Sequence, residues 1–313
     1  MGAFYKCILT FGFVLLVSLP GAQAIESFRE WKTADGTKTL QAEYLSSRNG
    51  DVTIRRKQDG KTFTISLDVL SAEDREWVQT KEKEIAAGGP REAGEKFADL
   101  ISGEWERTEG HGLKYRLYGD RKLRRTEGGG YPLVVYLHGR NMDVMTDDVP
   151  WLAREFSSDS NYRERPCFII APQNPDQMGW NGEKADGVIS IVRELIDELP
   201  VDEKRVYLNG YSMGAFGTFR IIEMEPKLFA AGVPVAGGGS PRMASTIKDV
   251  PFWVFHGAND PTVNVSLSRD IVEALKNEGV EVKYTEYPEG DHGIAGRVYA
   301  DEEMHEWLFD QSR

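Results

Sequence analysis

Ser212 sits in Gly210-Tyr211-Ser212-Met213-Gly214, a Gly-x-Ser-x-Gly run that follows the apolar stretch Val206–Leu208. The pattern suits a serine held on a sharp strand-to-helix turn, where glycines let two backbones pass closely. A serine hydroxyl is a weak nucleophile until a base takes its proton. Five histidines are available: His111, His138, His256, His292 and His305. His111 precedes the first core strand, and His305 falls on a terminal helix. His138 and His256 each precede a glycine at a strand end and read as structural. His292 follows the run Val280–Tyr287 in a glycine-flanked loop, Gly290-Asp291-His292-Gly293, so it is the expected base. An acid must fix the imidazole tautomer and stabilise the imidazolium. Asp260, in the loop after Pro251–Phe255, is preferred over Glu286, Glu289 and Asp291, because Asp291 adjoins His292 and would have difficulty folding back onto its ring. The chemistry would be acyl transfer. Two backbone N–H groups should hold the developing oxyanion: that of Met213, and that of Arg140 with Gly139 as the alternative. Losing one such donor costs roughly 3 to 4 kcal/mol.

These residues need a scaffold that brings them to one edge. From about Gly112 the chain alternates strand-like and helix-like segments. Lys114–Tyr118, Pro132–Leu137, Cys167–Ala171, Val206–Leu208, Gly232–Val235, Val250–Phe255 and Val280–Tyr287 read as strands. Gly187–Leu199, Leu267–Asn277 and Asp301–Phe309 read as helices. Such alternation predicts a doubly wound, mostly parallel sheet, with sites at the carboxyl ends of its strands.

Residues 111–313 resemble the α/β-hydrolase superfamily, and within it secreted esterases and "predicted peptidases" allied to polyhydroxybutyrate depolymerases and feruloyl or acetylxylan esterases. The likeness is carried by Tyr115–Tyr118, Leu137-His138-Gly139, Ala171-Pro172-Gln173, Val201–Tyr207, Gly217, Pro226–Ala231 and Gly237-Gly238. The chain order Ser212, Asp260, His292 is the one this superfamily uses. The chain departs from such relatives in having Ala215 after Gly214 and no longer glycine-rich loop after His138. The expectation is a serine hydrolase that cleaves carboxylic esters on a polysaccharide or related polymer, with a serine peptidase as the alternative. Gln173, Trp180 and Tyr211 are the expected substrate-lining residues. No metal or organic cofactor is needed.

The first 110 residues have a different texture. Met1–Lys6 carries one positive charge, Cys7–Leu19 is almost wholly apolar, and Pro20–Ala24 ends small-x-small. This predicts a signal peptide cleaved after Ala24 and a secreted or periplasmic protein. Residues 25–80 hold short alternating runs separated by Asp35-Gly36, Asn49-Gly50 and Asp59-Gly60, which are hairpin signals. Ser71-Ala72-Glu73-Asp74 reads as a helix start. The segment resembles a small SH3-like barrel, the adaptor homology domain of exported planctomycete-type proteins, with a peptide or surface ligand, or a plain packing role, as the implication. Residues 81–110 read as a charged helix or linker broken by Gly88-Gly89-Pro90. The net charge of −12 disfavours nucleic acid and anionic membrane surfaces as partners. Cys7 leaves with the signal, so Cys167 stays unpaired, as a buried small hydrophobe.

Overall fold

The computed structural model describes residues 28–48, 50–58, 61–87, 94, 96–120, 130–148, 150–176, 178–280 and 282–313. The predicted signal peptide lies outside the described residues. The chain divides after Ala86 into two compact units.

The small unit is an antiparallel meander in the order β1 (Arg29–Lys32), β2 (Thr39–Arg48), β3 (Asp51–Arg56) and β4 (Thr62–Ser66), followed by helix α1 (Ala72–Ala87). The segment after β4 returns to the end of β1, where Ala34 N–H donates to Val69 and Ser71 N–H to Lys32. Trp31, Ala42, Val52, Ile54, Leu70 and Val78 form its core. Ser71 caps α1 by accepting from Asp74 N–H at 3.1 Å.

The larger unit is built on one eight-stranded sheet. Its strands are β5 (Glu106–Gly110), β6 (Leu113–Tyr118), β7 (Tyr131–Leu137), β8 (Phe168–Pro172), β9 (Val201–Tyr211), β10 (Ala231–Val235), β11 (Trp253–Gly257) and β12 (Lys283–Tyr287). Their spatial order is β12-β11-β10-β9-β7-β8-β6-β5. Every pairing from β12 to β8 is parallel, and β6 runs antiparallel to both its neighbours. The helices are α2 (Asp159–Glu164), α3 (Glu183–Glu198), α4 (Met213–Met224), α5 (Ala244–Ile247), α6 (Ser266–Asn277), α7 (Ala295–Tyr299) and α8 (Glu302–Phe309). This is the predicted doubly wound, mostly parallel sheet.

Alternation along the central strands sorts the core onto two faces. Leu133, Val135, Leu137 and Leu208 pack with Val188, Val192 and Leu195 of α3 and Phe219 and Ile222 of α4. Val134, Tyr136 and Tyr207 pack on the other face with Phe156, Val298, Tyr299 and Leu308. Cys167 belongs to this second face; it is fully buried, and burial pushes its thiol well above the ordinary range. β5 falls inside the 81–110 stretch that its charge marked as helix or linker. An edge strand needs only one partner, so Glu106-Arg107-Thr108-Glu109-Gly110 can be polar and still pair with β6. The hairpin between them turns on His111 and Gly112, with φ of 50° and 79°, as a two-residue loop with positive φ at both positions does.

The strand that carries the serine is pinned from both sides. Asn209 is buried; its amide donates to the Val135 carbonyl at 2.9 Å and its oxygen accepts from the Tyr299 hydroxyl at 2.8 Å. Replacing Asn209 by Leu would strand that hydroxyl and carbonyl in the core. Asn209→Leu should therefore lower the unfolding free energy by about 2 kcal/mol, measured by guanidinium denaturation of the full chain; an unchanged midpoint would show the bridge to be idle.

Candidate active site

Ser212 stands between β9 and α4 with φ 55° and ψ −114°. A non-glycine residue rarely takes positive φ, at a cost of about 1 to 3 kcal/mol that surrounding structure must hold in place. The neighbours supply that hold. Ser212 N–H donates to the Val235 carbonyl at 2.8 Å, tying the turn to β10. An added Cβ on Gly210 would strike the Gly214 backbone, and one on Gly214 would strike the Leu137 carbonyl. A Cβ on Gly237 would lie 3.0 Å from the Ser212 carbonyl oxygen. These glycines exist because three strand ends and a helix start meet there.

Two later strand ends bring the partners. Asp260 follows β11, and His292 follows β12. His292 Nδ1 is 2.7 Å from Asp260 Oδ2, and His292 Nε2 is 2.9 Å from Ser212 Oγ. The other carboxylate oxygen of Asp260 accepts from Thr262 N–H at 2.8 Å and Val263 N–H at 2.9 Å. Burial alone would push this carboxyl up; the Val263 amide, the His292 contact and the Thr262 amide outweigh it and hold it below the ordinary carboxylate value. An ionised Asp260 only accepts, so His292 Nδ1 carries the proton and Nε2 is free to accept from the serine hydroxyl. The arrangement can draw a proton from Ser212 and return it to a leaving group.

The loop after β7 lies against this corner. A Cβ on Gly139 would sit 3.1 Å from Tyr211 Cδ1 and 3.3 Å from the Tyr211 carbonyl. His138 Nε2 accepts from Asn174 N–H at 2.9 Å, so Nδ1 bears the proton and donates to the Gly139 carbonyl at 2.7 Å. Burial keeps this imidazole below its ordinary value, so the tautomer is neutral. The Gly139 carbonyl is thereby turned to His138, and the planar trans peptide points the Arg140 N–H the opposite way. Met213, on the other side of the serine, opens α4. Its N–H belongs to the first helical turn, which lacks intrahelical acceptors.

The three expected substrate-lining residues do other work. Trp180 is 2% exposed, presses on Gly217, and donates its indole N–H to the His138 carbonyl at 3.2 Å. It lies beneath its loop and offers no face to a cleft, which corrects its expected stacking role. The Gln173 side chain accepts from Val144 N–H at 2.8 Å and donates to the Asn174 carbonyl at 3.1 Å, bracing the loop after β7. Tyr211 donates to the His292 carbonyl at 3.0 Å, and its ring lies 5.2 Å from the imidazole. It props the base. Burial, with Asp260 and Asp291 nearby, pushes its phenol up, so it remains a donor. His256, read from sequence as structural, touches the expected acid: its Nε2 is 3.2 Å from Asp260 Oδ2. The i, i+4 spacing of His256 and Asp260 was the available signal. Among the described residues no group of three or more His, Cys, Asp or Glu side chains could hold a metal, and no helix is long and apolar enough to cross a membrane.

Residues 170–306 match the model of the dienelactone hydrolase family. The chain is 27% identical over 167 residues to a bifunctional acetylxylan esterase/xylanase of Neocallimastix patriciarum, covering 51% of this chain and 23% of that protein. It is 26% identical over 210 residues to dipeptidyl aminopeptidase BIII of Pseudoxanthomonas mexicana, covering 52% of this chain and 30% of that one. It thus spans less than a third of either relative. The crystal structure of a thermostable esterase matches with a TM-score of 0.62 at 27% identity, covering 93% of this chain and 92% of that chain. The larger unit has the α/β-hydrolase fold, and its relatives include an esterase and a peptidase.

The hydrogen bond between Asp260 and His292 generates a prediction. Asp260→Asn leaves the shape but presents an amide that stabilises the wrong tautomer. kcat on an aryl ester should fall by about three to four orders of magnitude with the fold intact by circular dichroism. A fall of less than tenfold would remove Asp260 from the acid role.

Proposed function

We propose that this α/β-hydrolase, a relative of the dienelactone hydrolases, cleaves carboxylic esters through Ser212, His292 and Asp260, and that its substrates are acyl esters on a polysaccharide or related polymer. The observation that carries the reading is the unbroken line from Ser212 Oγ through His292 to Asp260, with 2.9 Å and 2.7 Å links. His292 takes the hydroxyl proton as Ser212 attacks the acyl carbon. The Met213 and Arg140 N–H groups stabilise the oxyanion. His292 then protonates the departing alcohol, and water repeats the sequence on the acyl-enzyme.

Two features favour a polymeric ester. The connection from β10 to β11 holds just a 3-10 turn and the four-residue α5, so no lid domain is inserted there. Trp151 is 50% exposed, and a Cβ on Gly296, in the helix that follows His292, would lie 3.4 Å from its indole. An exposed indole can stack on a sugar or aromatic acyl group. The acetylxylan esterase relative points the same way. The aminopeptidase relative supports the second reading, amide cleavage by the same residues. We further propose that residues 1–24 direct export and that the small unit binds a peptide or surface and takes no part in the chemistry.

The deciding experiment sets acetylated xylan and aryl acetates against dipeptidyl arylamides. Esters should turn over, and Ser212→Ala should lose about five to six orders of magnitude in kcat together with labelling by a fluorophosphonate. Retained hydrolysis in Ser212→Ala would sink the nucleophile assignment. Amide turnover without ester turnover would replace the ester reading by the peptidase one.

A further inference from the structure

His256 ends β11 with its side chain and that of Asp260 both at 0% exposure. Its Nε2 lies 3.0 Å from the Val263 carbonyl oxygen and 3.2 Å from Asp260 Oδ2. Its Nδ1 lies 2.7 Å from Ser268 Oγ. Counting protons sets the state of the ring. A carbonyl and an ionised carboxylate have none to give, so Nε2 carries one. Ser268 has a single hydroxyl proton, and its Oγ stands 2.5 Å from the Gly237 carbonyl oxygen. Two oxygens come that close with a proton between them. The hydroxyl proton is therefore committed to Gly237, and Nδ1 must donate to Ser268. A neutral imidazole has one N–H; this ring needs two.

We infer that His256 is a buried imidazolium that shares one carboxylate oxygen of Asp260 with His292, and that it acts as a positioning residue setting the pH range of the base. The inference rests on the proposed roles of Asp260 and His292. Asp260 Oδ2 takes both His292 Nδ1 at 2.7 Å and His256 Nε2 at 3.2 Å. The charges around the ring are consistent with a cation there. From the following loop comes Asp260. From β12, Glu286 stands opposite His256 in register. Glu286 is bound by Arg269 of α6 at 2.8 and 2.6 Å and by the Tyr284 hydroxyl at 2.6 Å. Arg269 and Tyr284 bring the Glu286 carboxyl down to about 2. From α6 itself comes the neutral Ser268. Two carboxylates thus face the ring, and the one guanidinium among these groups is already paired.

A permanent cation on Asp260 leaves less negative charge for His292. Protonated His292 is then held less tightly, and it stays free to act as base at lower pH than an unshared carboxylate would allow. Removing the cation should let His292 keep its proton to higher pH. The acid limb of the kcat/KM profile then moves up.

Two measurements on the full chain test this. In 15N-labelled protein at neutral pH, the His256 ring should show two N–H protons and both nitrogens at imidazolium shifts; a single ring N–H overturns the inference. This signature is independent of turnover, so it stands or falls apart from the ester reading. In His256→Gln, which keeps a neutral donor, the acid limb for an aryl ester should move up. Ser268→Ala removes the acceptor of Nδ1–H, so one ring proton suffices, and it should shift the limb in the same direction if His256→Gln fails to fold. A uniform loss of kcat/KM with the limb unmoved would mark His256 as packing alone.

Discussion

Everything in the larger unit depends on one residue held in a backbone conformation it would not choose. Ser212 at φ 55° is stable only because β7, β9 and β10 crowd around it. The unfavourable dihedral is distributed: Val235 takes the serine N–H, Gly210 and Gly214 give up side chains, and Asn209 fixes the strand one turn earlier. A parallel sheet is suited to this task. Its central strands are buried on both faces, so their ends are fixed by packing from both sides.

Around that corner lies a second layer in which histidines do the orienting. Two His-Gly dipeptides end β7 and β11, and each ring is buried with both nitrogens engaged. His138 holds the peptide that carries the Arg140 N–H. His256 holds the carboxylate that holds His292. Trp180, Gln173 and Tyr211 extend this layer, each committing its polar atoms to a backbone group of a site loop. The loops around Ser212 are thus braced by side chains from other elements.

The sequence was legible where a local rule decides the outcome. The Gly-x-Ser-x-Gly turn, the apolar strand runs and the polar loops at their ends all report their place through neighbours in the chain. Ser212, Asp260 and His292 each follow a strand of the sheet, and the structure brings the three together. What was not legible depends on contacts far along the chain. The polar edge strand β5 gives no apolar run, and its pairing is declared only by the positive φ at His111 and Gly112. Trp180 reads equally as a stacking platform or a packing residue until His138 and Gly217 are seen against it. The contacts that join His256 to Ser268, and Ser268 to the Gly237 carbonyl, link residues that no spacing rule connects.

The hydrogen bond from Tyr211 to the His292 carbonyl spans 81 residues of sequence. Ser212 leaves the ribosome first, Asp260 next and His292 last. Until the segment beyond β12 arrives, the serine has neither a proton acceptor nor the prop that holds one. The contact between Ser212 and His292 therefore forms only when the fold is completed.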